Sequence, residues 1–280
     1  MSNYPPATIP GTEVRTLRSA FVSQEYLISV ALPFHYADHS EKAYPVIYVL
    51  DANLFFGLVV DMVRAMNVRV SFCSELPDAI IVGIGYPVAG SLAESHAHVM
   101  HLRMRDFLPV PDRGAEEFIR ATFPIRDPIA SGGAAQFLRF IHRELVPLIE
   151  TEYRADTADR TLMGHSWGGL LALYAFFQQP QLFQRYVVVS PDLAFNYEQQ
   201  SGEQPDGRPV RLHLSAGERE LDGEELARFN SLVSTLETRQ HAGLTLRHQI
   251  IPNCTHCAVV APAFQAGLVS VFAGQAGSRD

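Results

Sequence analysis

A serine in a glycine-rich hexapeptide is the residue whose surroundings could do the most chemistry. Residues 164–169 read Gly-His-Ser-Trp-Gly-Gly, so Ser166 lies in a G-x-S-x-G pattern between apolar runs at 161–163 and 170–177. A strand, a tight turn and a helix in this order are typical of a nucleophile elbow, whose strained backbone holds the serine hydroxyl above a sheet. The pattern also fits the start of a buried helix with an incidental serine. Catalysis therefore requires a base, an acid and an oxyanion hole elsewhere in the chain.

A histidine and an acidic turn follow two later apolar runs. His256 comes after the run at 244–251, and Glu220 comes after the run at 210–217. The carboxyl ends of parallel strands meet at one edge of a sheet, so both residues are expected beside Ser166. An imidazole can take the serine proton, and a carboxylate on its other nitrogen fixes the tautomer. We predict His256 as the base, although a loop histidine that caps the last helix is the alternative.

Two neighbouring carboxylates leave the identity of the acid open. Glu218 and Asp222 lie in the same turn as Glu220, just before a predicted helix. A solvated acidic turn would also explain this cluster, because carboxylates are favourable near the start of a helix. We prefer Glu220 because it lies three residues past the glycine that ends the strand.

Position along the chain predicts the two backbone N–H groups of the oxyanion hole. One belongs to Trp167, directly after the serine, and the other to the loop at 51–53, after the third strand. Either Ala52 or Asn53 could be the second donor, because backbone groups leave little trace in a sequence. The side chain of Asp51 is expected to hydrogen-bond the loop backbone rather than act as a third catalytic carboxylate.

Apolar runs alternate with helical patterns and supply the elements that position these residues. Strands are predicted at 12–20, 25–32, 44–50, 78–86, 161–163, 185–191, 210–217 and 244–251, and helices at 54–68, 132–153, 170–177, 223–240 and 258–272. The first two strands are close enough to pair antiparallel. The later alternation predicts an α/β protein with a mostly parallel central sheet and helices on both faces.

Two segments do not fit this alternation. Residues 1–11 are proline-rich and predicted to be extended. Residues 87–130 show no clear period, which favours a lid or gate inserted into a single domain spanning 1–280.

Composition makes several classes of partner improbable. The 280 residues carry a net charge of −8, a hydrophobic content of 47% and no basic run. Nucleic acid and anionic membrane surfaces are therefore not expected partners, and no apolar stretch reaches the ~20 residues of a membrane span. The N-terminus has no secretory signal pattern, and three cysteines are too few for a disulfide framework. We expect a cytoplasmic protein and allow for a homodimer.

With these residues in place, the chain resembles the "Putative esterase" family of the α/β-hydrolase fold. That family includes esterase D, feruloyl esterases, mycolyltransferases and the trilactone esterases of enterobactin-type siderophores. The likeness lies in Y-P-V-I-Y-V-L-D-A-N at 44–53, R-M-R-D-F-L-P at 103–109, the stretch 132–169, P-Q-L-F at 180–183 and S-P at 190–191. It covers roughly residues 12–272 and is strongest for the bacterial trilactone-esterase-like branch. The resemblance implies Ser166 as nucleophile, His256 as base and Glu220 as the acid. We expect no cofactor.

Three departures from the family pattern are predicted to line the site. Ala52 stands where the family has the glycine of D-G-N, and Trp167 stands where a smaller aliphatic residue is usual. The segment at 190–195 lacks the tryptophans of the family's S-P-S-L-W-W. These differences leave the substrate open. The residues that we predict to contact substrate are Phe55, Tyr86, Arg103, Arg105, Leu193 and Phe195.

Two further patterns have both a functional and a structural interpretation. Arg103 and Arg105 could hold a substrate carboxylate or catecholate, and an ion pair with Asp106 or Glu117 explains them equally well.

The histidines at 96, 98 and 101 and the C-T-H-C at 254–257 could suggest a metal. A single C-x-x-C lacks the four ligands that zinc needs, and solvated loop histidines are expected, so we predict no metal.

Three functions remain open at this point. The first is a serine esterase that acts on a small or medium ester through an acyl-enzyme. The second is an acyltransferase, or a siderophore trilactone hydrolase, that uses the same intermediate. The third is a non-catalytic binding protein. Catalysis is favoured because nucleophile, acid and base occur in the order that this architecture uses.

Overall fold

Eight strands form one sheet in the computed structural model, which describes residues 7–67, 76–123, 125, 128, 130–197, 207–238 and 243–275. The strands are β1 (Thr12–Arg18), β2 (Glu25–Ala31), β3 (Tyr44–Val49), β4 (Ile80–Gly85), β5 (Ala155–His165), β6 (Arg185–Val189), β7 (Val210–Gly217) and β8 (Leu244–Ile251). Their order across the sheet is β1-β2-β4-β3-β5-β6-β7-β8. β2 runs antiparallel to β1 and β4, and every pair from β4 to β8 is parallel. The mostly parallel sheet with an antiparallel start is confirmed.

Helices cover both faces of this sheet, as predicted. They are α1 (Ala52–Ala65), α2 (Leu92–Phe107), α3 (Arg113–Thr122), α4 (Ala134–Phe140), α5 (Val146–Glu152), α6 (Trp167–Gln178), α7 (Gly223–Thr238) and α8 (Val260–Val271). A π-helical turn, Ile141–Leu145, joins α4 to α5. α1 and α8 pack on one face, and α2 and α4 to α7 pack on the other. Successive side chains of a strand point to opposite faces, so Tyr48 of β3 enters one core and Val49 the other.

The five predicted helices are all present, with ends shifted by a few residues. Parts of four predicted segments lie outside the described residues: residue 68 of the first helix, residues 239–240 of the fourth, residues 1–6 of the N-terminal extension, and residues 124, 126, 127 and 129 of the segment at 87–130. The described part of that extension ends in a turn just before β1, where the Thr12 hydroxyl donates to the Ile9 carbonyl at 2.6 Å.

Most of the segment at 87–130 is helical, although its sequence shows no clear period. α2 and α3 fill it, while residues 124, 126, 127 and 129 lie outside the described part. Ser91 and Glu94 begin α2 with a capping box, in which each side chain accepts the backbone N–H of the other residue. α2 buries Met104 and Phe107 in the main core. Movement of this segment as a lid stays a prediction.

Candidate active site

Ser166 alone makes the turn between β5, which ends at His165, and α6, which begins at Trp167. Its φ of 60° and ψ of −125° are values that a residue with a side chain rarely adopts. Glycines make the turn feasible, because a Cβ on Gly164 would collide with the carbonyl oxygen of Gly168. The local geometry is therefore that of a nucleophile elbow.

Strained backbone surrounds this turn. The described part of the chain has five non-glycine residues with positive φ, and four of them follow the carboxyl ends of parallel strands: Asp51 after β3, Ser166 after β5, Ser190 after β6 and Asn253 after β8. Such conformations cluster at functional sites. The sequence could not indicate Ser190, because serine has no special preference for left-handed backbone.

Glu220 and His256 meet at the ends of β7 and β8. His256 Nδ1 lies 2.5 Å from Glu220 Oε2. The other oxygen, Oε1, accepts from the Ser190 hydroxyl at 2.6 Å and from the Gly217 backbone N–H at 2.5 Å. A single 3-10 turn, Glu218–Glu220, follows the end of β7 and brings the carboxylate back to that strand end. The carboxylate is thus held from three directions.

The other two carboxylates of the acidic turn have different partners. Glu218 Oε2 accepts the backbone N–H of Asn253 at 2.8 Å. Asp222 Oδ1 accepts the N–H groups of Glu224 and Glu225 at 3.1 and 3.2 Å, at the start of α7. Of the three candidates for the acid, Glu220 is therefore the one whose carboxylate the structure brings to His256.

Glu220 is ionised at neutral pH. Burial raises the pKa of its carboxyl group, but hydrogen bonds from His256, Ser190 and Gly217 outweigh burial and lower the pKa below the usual 4.5. An ionised Glu220 accepts a hydrogen bond from His256 Nδ1–H, which leaves Nε2 as the nitrogen that can take up a proton.

His165 connects the serine turn to the loop that carries His256. Its Nε2 lies 2.7 Å from the His256 carbonyl oxygen, and the two ring centroids are 4.6 Å apart. Burial first, and then the nearby His256, lower the pKa of His165 to about 4. The ring is therefore neutral at pH 7 and donates Nε2–H to the carbonyl. Sequence analysis missed His165, because it occupies a variable position of the motif.

The predicted oxyanion donors lie at the first turns of two helices. Trp167 begins α6, and Ala52 and Asn53 begin α1. The first N–H groups of a helix have no acceptor within that helix, so they can bind an anion. The two helix starts are close to each other: a Cβ on Gly168, in the first turn of α6, would lie 3.0 Å from Asp51 Oδ2, just before α1.

The side chain of Asn53 fixes the first turn of α1 to β4. Its amide donates to the Tyr86 carbonyl at 2.9 Å and accepts the Tyr86 N–H at 2.7 Å. Asn53 therefore has a clear structural role whichever backbone N–H faces the substrate.

Arg103 forms a buried ion pair with Asp51, which differs from two predictions. Its Nε and Nη2 donate to the two oxygens of Asp51 at 2.7 and 2.9 Å. Both side chains are buried, so Arg103 is not placed to hold a substrate carboxylate. The Asp51 carboxylate bonds Arg103 and not the loop backbone that was predicted to hold it.

Arg105 and Tyr86 anchor α2 to the sheet and do not line the cavity at Ser166. Arg105 pairs with the neighbouring carboxylate of Asp106 at 2.7 and 2.9 Å. The hydroxyl groups of Tyr26 and Tyr86 donate to the same buried carboxylate at 2.8 and 3.1 Å. These placements correct the predicted substrate contacts: Arg105 has the structural pairing with Asp106, and Tyr86 is fully buried.

Phe55 packs against the core that α1 and α8 form on one face of the sheet. Its ring meets those of Phe264 and His165 edge to face, with centroids 5.5 and 6.0 Å apart. Phe55 is half-buried and does not line the cavity that contains Ser166, so its contact with substrate stays a prediction.

A cavity of about 290 Å³ joins the residues that could act together. It is lined by Ser166, Trp167, Ser190, Pro191, Asp192, Leu193, Ala216, Glu220, Leu221, Glu225 and His256. A second cavity of about 230 Å³ shares Leu193 as a wall and includes Phe195, Tyr197 and Arg228. Of the predicted substrate contacts, Leu193 lines both cavities and Phe195 lines the second.

No group of three His, Cys, Asp or Glu side chains in the described ranges is placed to hold a metal ion. His96 packs against Phe123, with ring centroids 5.6 Å apart, and His101 is buried in α2. Cys254 and Cys257 are free thiols, and Cys73 lies outside the described residues. Within those residues, none of the helices combines the length and the apolar character needed to cross a bilayer.

Known proteins resemble this chain over most of its length. The family described as "Putative esterase" matches residues 19–232. Ferri-bacillibactin esterase BesA of Bacillus subtilis (strain 168) is 35% identical over 241 residues, which cover 83% of this chain and 78% of BesA. The siderophore triacetylfusarinine C esterase of Aspergillus fumigatus is 31% identical over 194 residues, 68% of this chain and 59% of that protein. The crystal structure of the BES protein from Bacillus cereus superposes with a TM-score of 0.76 at 27% identity, covering 97% of this chain and 98% of that one.

The family match includes both the serine turn and the acidic turn after β7, so sequence similarity and geometry indicate the same chemistry. We conclude that the chain belongs to the "Putative esterase" family of α/β-hydrolases and is a serine esterase.

Proposed function

We propose that the chain hydrolyses a carboxylic ester of small or medium size through an acyl-enzyme on Ser166, with His256 as the base and Glu220 as the acid. The observation that carries this proposal is the 2.5 Å hydrogen bond between His256 Nδ1 and Glu220 Oε2, at a cavity that Ser166 also lines. An exposed imidazole held by an ionised carboxylate is the arrangement that activates a serine.

Each step has an assigned group. Ser166 Oγ attacks the ester carbonyl carbon while His256 Nε2 takes the proton of the Ser166 hydroxyl. Glu220 stabilises the His256 imidazolium that forms. The negative oxygen that forms accepts the Trp167 N–H and an N–H of Ala52 or Asn53. The intermediate then collapses, the alcohol leaves with the proton from His256, and a water molecule repeats the sequence on the acyl-enzyme. No cofactor enters any step.

A siderophore ester is the substrate class that the named relatives favour. BesA is named as a ferri-bacillibactin esterase, and the Aspergillus enzyme is named as a siderophore triacetylfusarinine C esterase. Two adjoining cavities of about 290 and 230 Å³ offer room for a substrate larger than a simple acetyl ester. The cavity at Ser166 is lined by Asp192 and Glu225, and no Lys or Arg among the described residues lines it. An ester group without a neighbouring negative charge on the substrate therefore fits this cavity better than an ester that carries a carboxylate.

Two serines in one cavity make a direct test of the nucleophile. A fluorophosphonate probe should label the wild type and the Ser190→Ala variant, and it should not label Ser166→Ala. Ser166→Ala should also lower kcat for p-nitrophenyl acetate by more than ~10³-fold. Labelling of the Ser166→Ala variant would contradict the assignment.

The substrate is tested with a panel of esters. Trilactone and linear siderophore esters should be cleaved with higher kcat/KM than p-nitrophenyl acetate, and added alcohols should give no transfer product. A transfer product would indicate the acyltransferase alternative. Equal turnover of simple esters and no turnover of siderophores would contradict the siderophore class and leave the esterase proposal intact.

Location and assembly are also proposed. We place the protein in the cytoplasm because of its low, odd number of cysteines, and we propose a homodimer. Cell fractionation and light scattering test these two points.

A further inference from the structure

The ion pair between Arg103 and Asp51 lies between the two proposed oxyanion donors. Asp51 immediately precedes Ala52, the first residue of α1, and its side chain is 1% exposed. Arg103 is 7% exposed, and its guanidinium carbon lies 5.2 Å from the centroid of the Trp167 ring. Its Nη2 also reaches the His165 carbonyl at 3.5 Å. One side chain thus contacts both helix starts and the end of β5.

We propose that Arg103 is a positioning residue for the oxyanion hole, which acts through the Asp51 carboxylate on one donor and through the Trp167 ring on the other. The inference rests on the proposed function, because it requires a tetrahedral intermediate on Ser166. Three physical arguments support it.

The first argument concerns hydrogen bonds. An aspartate at the position before a helix normally accepts the N–H of the second or third helical residue, which here would be Asn53 or Leu54. The Asp51 carboxylate makes no such bond among the described residues, and its two oxygens instead accept from Arg103. The Asn53 N–H therefore remains available to an oxyanion.

The second argument concerns charge. Asp51 Oδ2 is so close to the first turn of α6 that a Cβ on Gly168 would lie 3.0 Å from it. An uncompensated carboxylate at this place would repel a developing oxyanion strongly, because both would be poorly solvated. Arg103 cancels that charge.

The third argument concerns the second donor. The Arg103 guanidinium lies against the indole ring of Trp167. The backbone N–H of Trp167 is the other proposed oxyanion donor. Trp167 is half-buried and lines the cavity, so the cation also fixes a wall of the site.

Arg105 is a matched control for these effects. It lies two residues along the same helix and also binds a buried carboxylate, Asp106, through two hydrogen bonds. The Asp106 carboxylate keeps the hydroxyl groups of Tyr26 and Tyr86 as donors when Arg105 is replaced. Arg105→Met therefore removes a pair of the same kind, and within the described residues the side chain of Arg105 makes no hydrogen bond to Ala52, Asn53 or Trp167.

The experiment compares an ester with its thionoester, in which sulfur replaces the carbonyl oxygen. Sulfur accepts hydrogen bonds weakly, so the oxyanion hole favours the ester over the thionoester. The oxygen-to-sulfur ratio, which is kcat/KM for the ester divided by kcat/KM for the thionoester, therefore reports on the oxyanion hole. Arg103→Met should lower kcat for the ester by about ten- to a hundredfold with little change in KM, and it should lower the ratio. Arg105→Met should lower the melting temperature and leave the ratio unchanged.

A second substitution tests whether Arg103 acts through Asp51. Asparagine tolerates the left-handed backbone of residue 51, which has φ 55° and ψ 42°. The double variant Asp51→Asn with Arg103→Met has no buried charge at this position, so it should fold more stably and turn over faster than Arg103→Met alone. It also keeps the proposal testable if Arg103→Met does not fold.

The outcomes are distinct. A lower rate for Arg103→Met with an unchanged oxygen-to-sulfur ratio, or an equal change of that ratio in Arg105→Met, would overturn the positioning role. A double variant slower than Arg103→Met would overturn the action through Asp51. Failure of the fluorophosphonate probe to label wild-type Ser166 would contradict the proposed function itself.

Discussion

The two sides of Ser166 are built from different kinds of groups. Toward β7 and β8, the working atoms belong to side chains, and the His256 side chain is 46% exposed. Toward β3, the proposed working atoms are backbone N–H groups, held by an ion pair whose side chains are 7% and 1% exposed. A base must exchange protons with substrate and solvent, whereas fixed dipoles act most strongly where water is excluded. Substitutions on the first side should therefore remove a group that transfers or stabilises a proton. Substitutions on the second side should instead displace the backbone N–H groups of the oxyanion hole.

The largest effect on the side-chain half is expected for Glu220→Gln. Glutamine has nearly the same shape, but it carries no charge to stabilise the imidazolium and can favour the wrong tautomer of His256. We expect kcat to fall by about 10³- to 10⁴-fold with the fold intact. The measurement is kcat for p-nitrophenyl acetate, together with circular dichroism.

Glu218→Gln is the matched control for this prediction. Its side-chain oxygen still accepts the Asn253 N–H, so the loop before His256 keeps its support. We expect less than a threefold change in kcat. A loss in Glu218→Gln as large as that in Glu220→Gln would contradict the assignment of Glu220, because it would show that a negative charge anywhere in the acidic turn supports catalysis.

The same difference between the two sides explains what the sequence could predict of the site. Ser166, Glu220 and His256 carry reactive side chains at the ends of apolar runs, so residue type and position together indicate them. The oxyanion side depends on backbone groups, and any residue except proline at 52 or 53 would supply an N–H. The partner of Arg103 is 52 positions away along the chain, so the ion pair with Asp51 is visible only when β3 and α2 are placed.

The fold shows a similar limit. Strands such as β3 were predictable because side chains on both faces are buried and apolar. α2 was not, because His101, Arg103 and Asp106 are buried on its inner side and interrupt the apolar period. Buried polar residues satisfied by distant partners give no periodic signal.

His165 joins the two sides, and its titration predicts an acid-sensitive contact. The pKa of His165 is lowered to about 4 in the folded protein, against 6.5 for an ordinary histidine. Between pH 6.5 and 4, this histidine is therefore protonated in the unfolded chain and neutral in the folded one. This contribution to stability is complete above pH 6.5 and is lost as the pH falls from 6.5 to 4, by about 3 kcal/mol at most. Urea unfolding at pH 7, 5.5 and 4.5 measures it, and His165→Leu should flatten the dependence.

His213 provides a control that lies away from the serine. Burial first, and then the nearby His248, lower its pKa to about 4, and neither ring nitrogen has a partner among the described residues. His213→Leu should flatten the pH dependence of stability by a similar amount and leave kcat unchanged. His165→Leu should also lower kcat, because it removes the hydrogen bond to the His256 carbonyl. Equal kcat values for the two variants would contradict the connecting role of His165.

The smallest effect is expected for Ser190→Ala. Its hydroxyl group donates to Glu220 Oε1 at 2.6 Å, and a hydrogen bond to a charged group contributes about 1.5–3 kcal/mol. The Gly217 N–H and His256 still hold the carboxylate, so we expect kcat to fall only about tenfold. Loss of this donor raises the pKa of Glu220, so activity should begin to decline at a higher pH during acid titration.

Ser215→Ala is the matched control, since Ser215 is a buried serine one strand away whose hydroxyl group has no partner within the described ranges. If both variants lose activity equally, packing at the ends of β6 and β7 explains the effect; if Ser190→Ala alone shifts the acid limb, Ser190 belongs to the side-chain half of the site.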